Sequence, residues 1–131
     1  MIEQGLYSLL SADATISAMV GDRISPVLLP EGSPMPAMTY QVTRGSGDPT
    51  FDTSGLIKLY MQFDCFGTDY SDAAQLRKAL VMLLNGYQGV LSDGTDLQLA
   101  QFQQPIDYYE KDVRQYRCAV EFFFLFDFPR I

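Results

Sequence analysis

Histidine and tryptophan are absent from this 131-residue sequence, cysteine occurs twice, and cations are scarce, with nine Lys plus Arg against sixteen Asp plus Glu for a net charge of −7. The missing histidines exclude Ser-His-Asp and Cys-His catalysis, imidazole-bound zinc or iron, and a proton switch built on a group with an unperturbed pKa of about 6.5. Carboxylates, tyrosines and two thiols are what remains for chemistry. Cys65 and Cys118 lie too far apart for a CxxC motif and are too few for a zinc cage or a secreted disulfide framework. They read as reduced, buried small hydrophobes. The few cations are scattered, with no cluster beyond Arg77 and Lys78, so the chain lacks the basic footprint that grips a phosphate backbone. No apolar run approaches the ~20 residues of a membrane span, and MIEQGLYSLL has neither a basic region nor a small-residue cleavage site. Cytosolic synthesis and no membrane partner are expected. With no GxxxxGK[ST], no GxGxxG and no DxDxDG loop closed by a Glu, no metal or cofactor is expected either.

What is present is ordinary globular material, 47% hydrophobic and 19% charged, expected to fold as one domain over residues 1–131. Ile2, Leu6, Leu9 and Leu10 recur on one helical face, and Asp13 is placed to cap a second short helix ending at Gly21. Prolines 26, 30, 34 and 36 make the stretch from Ser25 to Pro36 an extended arm. Alternation predicts strands over Met38–Thr43 and Leu56–Phe66, joined by the Gly-, Ser- and Asp-rich loop from Arg44 to Gly55. A helix follows, with Ala73, Leu76, Leu80, Leu83 and Tyr87 on its apolar face, then a small hairpin around Asp93 and Gly94. The chain breaks at Pro105, passes an acidic aromatic patch, and closes with a long strand from Val113 to about Phe126. The order predicts an α+β fold: a mainly antiparallel sheet of four to five strands with two to three helices packed on one face.

Asp107, Glu110 and Asp112 beside Tyr108 and Tyr109 are the densest acid and base candidates, and they read as a solvated turn ahead of a strand rather than a catalytic pair. In FFFLF, alternation assigns Phe122, Phe124 and Phe126 to the core and leaves Phe123 and Leu125 over, either for a contact between subunits or for cover by the chain's own helices or arm.

The helix IEQGLYSLL, the short helix running into Val20 and GDRI, the arm with Pro34 to Thr43, the strand ending LYMQFDCFG, the helix SDAAQLRKALVMLLNGY and the strand VRQYRCAVEFFF together resemble the small tail-completion proteins of long-tailed phages with non-contractile tails. The resemblance implies a structural protein that caps the finished tail tube as a ring, commonly of six subunits, stops polymerisation and forms the tail side of the head–tail joint. Its partners would be further copies of itself, the tail tube protein and a head-completion or connector protein, in the virion near the neck after assembly in the host cytoplasm. DNA would be passing cargo, not specifically bound. No catalytic residue comes with the family. A closing head-to-tail contact needs two different patches per subunit. The candidates are Phe123, Leu125, Pro34 and Met35, with Arg44, Asp48 and Phe51 of the long loop reaching for a partner. Asp107, Glu110 and Asp112 are candidates for an acidic channel wall that repels DNA.

A neck or head-closure adaptor of the same virion is the neighbouring reading. From another class comes a small ligand-binding or regulatory domain whose sheet and Leu76, Leu80 and Leu83 helix face enclose an apolar pocket. An enzyme is the least supported.

Overall fold

The alternating segments form strands and the three-and-four-spaced segments form helices, in a computed structural model that describes residues 2–46, 56–111 and 114–127. In chain order the elements are α1 (Glu3–Ala12), α2 (Ala14–Val20), β1 (Ile24–Pro26), β2 (Ala37–Ser46), β3 (Leu56–Gly67), α3 (Tyr70–Leu84), β4 (Gly89–Val90), β5 (Asp96–Glu110) and β6 (Gln115–Asp127). One six-stranded sheet has the order β1-β2-β3-β6-β5-β4. Only β1 and β2 pair in parallel; the remaining pairs are antiparallel. The α+β expectation stands, with more strands than the four to five anticipated and one parallel pair among them.

Three segments differ from the sequence reading. The arm begins with a three-residue strand, β1, and β2 continues through Arg44 to Ser46 where a loop was expected. Pro105 does not break the chain either: β5 runs through it for 15 residues, with irregularities between Leu97 and Leu99 and between Phe102 and Gln104. The physical reason is position, because a proline is tolerated in a strand whose N–H side has no neighbour to bond.

All three helices lie on one face. Ile2 just ahead of α1, Leu6 and Leu10 from α1, Ile16 and Val20 from α2, and Leu76, Leu80 and Leu84 from α3 join Met61, Phe63, Phe122, Phe124 and Phe126 of the sheet in one buried cluster. Each such side chain contributes about 1.5–3 kcal/mol when fully withdrawn from water. Asp13 caps α2, its Oδ1 accepting the N–H groups of Thr15 and Ile16 at 3.0 Å each. Arg23 then straps the base of the arm, donating from Nε to the Pro36 carbonyl at 3.0 Å and from Nη2 to that of Met19 at 3.1 Å.

Two glycines are set by close approach. The Gly5 N–H donates to Asp93 Oδ2 at 3.0 Å, and a Cβ there would stand 2.8 Å from that of Leu91. At Gly67, where β3 turns into α3, a Cβ would lie 2.9 Å from the Ala73 backbone nitrogen.

Cys65 and Cys118 stand opposite each other on β3 and β6, both free and fully buried. Burial pushes both thiols above their usual range. Neither should react with a thiol reagent in the native protein at neutral pH, and both should react in denaturant. A thiol titration showing one fast cysteine before unfolding would place that part of the strand pair at the surface.

Candidate functional site

The helices seal one face of the sheet, so the side chains of opposite parity form a second face with no helix over it. On β3 these are Lys58, Tyr60, Gln62, Asp64 and Phe66, alternating with the core residues Ile57, Leu59, Met61, Phe63 and Cys65. Register carries each of them across the sheet. Tyr60 stands between Arg44 and Phe123, and Phe123 stands opposite Gln101; the next row is Gln41, Gln62, Glu121 and Gln104.

The first of these rows is the most apolar feature of the face. The Tyr60 and Phe123 rings lie 5.0 Å apart, and the Arg44 guanidinium sits over Tyr60 at 3.9 Å from the ring centre. Leu125 flanks them opposite Lys58, and both Phe123 and Leu125 are half-buried by their neighbours. Of the two readings left open for Phe123 and Leu125, helix cover is therefore wrong, because their parity points them away from all three helices.

At the far end of this face the arm folds back over the sheet. Between its residues 27–35 and Thr39, Asp64, Phe66, Glu110, Gln115 and Arg117 lies an open groove of about 510 Å3. Met35 lines it, whereas Pro34 is exposed. Asp64 is buried at its floor, accepting from Gln62 Nε2 at 2.8 Å and from Thr39 Oγ1 at 3.5 Å. Arg117 lies 4.2 Å over the Tyr108 ring, its Nε 3.9 Å from Glu110 Oε1. Val27 and Leu28 form the lip, 67% and 77% exposed. Val27 has φ +62°, a costly conformation for a β-branched residue.

The three acidic candidates do not converge. Asp107 projects to the helix side, where its Oδ1 accepts from Arg77 Nη1 and its Oδ2 from the Tyr70 hydroxyl at 3.0 Å. Glu110, three residues on, lines the groove of the opposite face, and Asp112 lies outside the described residues, as do Asp48 and Phe51. The described strands give the helix-free face three cations, Arg44, Lys58 and Arg117, and five carboxylates, Asp64, Asp96, Glu110, Glu121 and Asp127. That face carries a small acidic excess.

Burial by itself would raise the Asp107 carboxyl, but the Arg77 guanidinium and the Tyr70 hydroxyl hold it below the usual range. A depressed folded value stabilises the fold above the unfolded carboxyl's pKa of about 3.9 and ceases to do so as pH falls through the folded value. Asp107→Asn should therefore cost less than about 1 kcal/mol at neutral pH, because the side chain is 48% exposed. Denaturant melts should show that deficit vanishing in acid; a deficit that persisted there would mean the carboxylate charge is not its source.

Sequence reasoning missed Tyr60, the cluster of Arg77, Tyr70 and Asp107, and the groove. The alternation of β3 does place Tyr60 on the wet face, so an aromatic there was the available signal. It also missed that Leu76 and Leu80 close directly on the sheet, both fully buried, which leaves no room between them and the sheet for the pocket that a ligand-binding domain needs.

Comparison with known proteins adds what the geometry lacks. A chain in the structure of the virion of a native gene transfer agent particle superposes with a TM-score of 0.72 at 19% identity, over 95% of this chain and 93% of that one. At that identity the likeness speaks for the fold. No curated protein matches. The family described as tail completion protein gp17 matches residues 4–127, nearly the whole length, and this chain belongs to that family of phage tail-completion proteins, structural components of the virion.

Proposed function

We propose that the protein caps the finished tail tube as a ring of about six copies, ends tube polymerisation and presents the tail side of the head–tail joint. The observation that carries this is the two-faced sheet. Helices cover the centre of one face, while the other holds an aromatic and cationic row, Arg44, Tyr60 and Phe123, and at its far end the arm with Pro34 and Met35. A monomer has no use for that arrangement, whereas a subunit that must meet both copies of itself and two different partners needs several unlike patches. Leu125 extends the apolar row, and β2 ends beside it at Ser46, ahead of Asp48 and Phe51 in the sequence. Tail-completion membership and the likeness to a gene transfer agent virion chain support the reading.

The role is geometric, and no chemistry is assigned to the acidic residues. The small acidic excess on the helix-free face would let DNA pass without being held, since binding strength follows the number of phosphates neutralised. Glu110 is the acidic candidate that lies on this face.

The test is tail length. Tube protein polymerised in vitro should give tubes of open-ended length alone and tubes of arrested length, each with a ring at one end, when this protein is added. Tubes that keep growing in its presence, while it binds the connector instead, would move it to the neck.

A further inference from the structure

Both ends of the sheet leave backbone groups without a strand beside them. At one end β1 covers only Met38–Tyr40 of β2, so no described strand flanks β2 from Gln41 to Ser46. The Val27 N–H donates to the Tyr40 carbonyl at 2.8 Å. Tyr40 thus turns its backbone groups outward, and Val42, two residues on, turns the same way. At the other end β4 covers only Asp96 and Leu97 of β5, and the segment after α3 occupies Ala100 and Phe102 through Gly86 and Asn85. Beyond these, β5 continues to Glu110. Pro105 stands opposite Val120 of β6, and a residue without an N–H fits there only if the missing donor points away from β6. Asp107 and Tyr109 then present N–H and C=O to that same free edge.

A free edge is a template for another strand. These two edges differ in sequence and lie at opposite ends of the sheet, which is the arrangement a head-to-tail contact requires. We propose that the β2 edge of one copy pairs with the β5 edge of the next, so that the sheets of neighbouring copies join into one. This rests on the ring reading above.

Direction and stagger both fit. β2, β3, β6 and β5 alternate in direction, so β2 and β5 run oppositely. A rotation about the ring axis keeps each strand's direction along that axis, and the new pair is antiparallel like those within the subunit. Val42 is level with Met61 of β3, and Tyr109 is level with Tyr116 and so with Gly67 of β3. Pairing Val42 with Tyr109 therefore staggers neighbouring copies by 67 − 61 = 6 residues, about 20 Å at ~3.3 Å each. The four strands between the contacts span about 19 Å at ~4.8 Å spacing, so the strands would tilt about 45° from the axis, at the upper end of the 35–45° at which sheets close into barrels. At that register Arg44 of one edge stands opposite Tyr108 of the other, and Gln41 opposite Glu110.

Val42 and Tyr109 are 45% and 52% exposed, so both tolerate replacement. The double variant Val42→Cys and Tyr109→Cys, assembled with tail tube protein and treated with oxidised glutathione, should run as a ladder of covalent multimers on a denaturing gel, and neither single variant should. The native cysteines are buried and do not join. In a second measurement, Tyr109→Pro, which removes one outward N–H, should weaken assembly at least tenfold while lowering the melting curve by only a few degrees, the loss of the Tyr109–Tyr116 ring contact at 4.8 Å. Rings that form with no ladder, or that tolerate Tyr109→Pro, overturn the edge pairing and leave the ring standing. Equal cross-linking by a single variant means a two-fold contact and also overturns it. A wild-type protein that never assembles, even on tubes, overturns both.

Discussion

Phe123→Asp should give a folded monomer that no longer assembles. The ring is only half-buried and among the described residues its one aromatic partner in the subunit is Tyr60, 5.0 Å away. Losing that pair costs about 0.5–1.5 kcal/mol out of the roughly 5–15 kcal/mol that holds a domain together. In an interface the same change removes an aromatic anchor and adds an unpaired charge, the kind of replacement that costs at least about 2 kcal/mol, or some thirtyfold in affinity. Thermal melts by circular dichroism should fall by a few degrees, while mass measured in the presence of tail tube protein should show the ring lost. A collapsed melt would return Phe123 to the core; a normal melt with normal assembly would leave the aromatic row without a role in contact.

The strands that were legible in the sequence are those without irregularities. β3 and β6 pair without a break from Leu56 opposite Asp127 to Gly67 opposite Tyr116, so strict alternation survives in both and separates Phe122 and Phe124 from Phe123 and Leu125. β5 carries two irregularities, and each shifts the parity by one. Its apolar residues Leu97, Ala100 and Phe102 therefore share the core side at uneven spacing, and the pattern disappears. Pro105 compounded this, since the rule against proline in a sheet holds for central strands and not for an edge. β1 is too short to show any period, and its parallel pairing depends on where the arm returns.

The candidate site was legible to the same extent. Phe123 and Leu125 stood out as apolar residues on the wrong parity, and the arm was announced by its prolines. What the arm lies over was not, because the groove depends on Phe66 and Arg117 from strands far away in sequence. Asp107 looked like a free acid beside Glu110 for the same reason. Its partner Arg77 is 30 residues away on α3, and only the packing of that helix on β5 and β6 brings the two together.

Alanine replacement along FFFLF should reproduce the alternation as energy. Phe122 and Phe124 are fully buried, each edge-on to Phe63, at 5.9 Å and 6.3 Å, and stacked on one another at 5.9 Å. Truncating either removes an aromatic from the centre of a cluster that cannot collapse to refill the space, because it is clamped between the sheet and three helices. The expected cost is about 3–5 kcal/mol each, a large share of the total, and a drop in melting temperature on the order of 10–20 °C. Phe123→Ala, one residue from both, and Leu125→Ala should each cost less, about 1–2 kcal/mol, since both are only partly withdrawn from water. Denaturant melts of the four variants would measure this, and similar costs at all four positions would mean that the second face is covered in the free subunit. An alternating series leaves that cover to be supplied by the assembly, in which case the two low-cost positions in the folding series should be the high-cost ones when ring formation is measured instead.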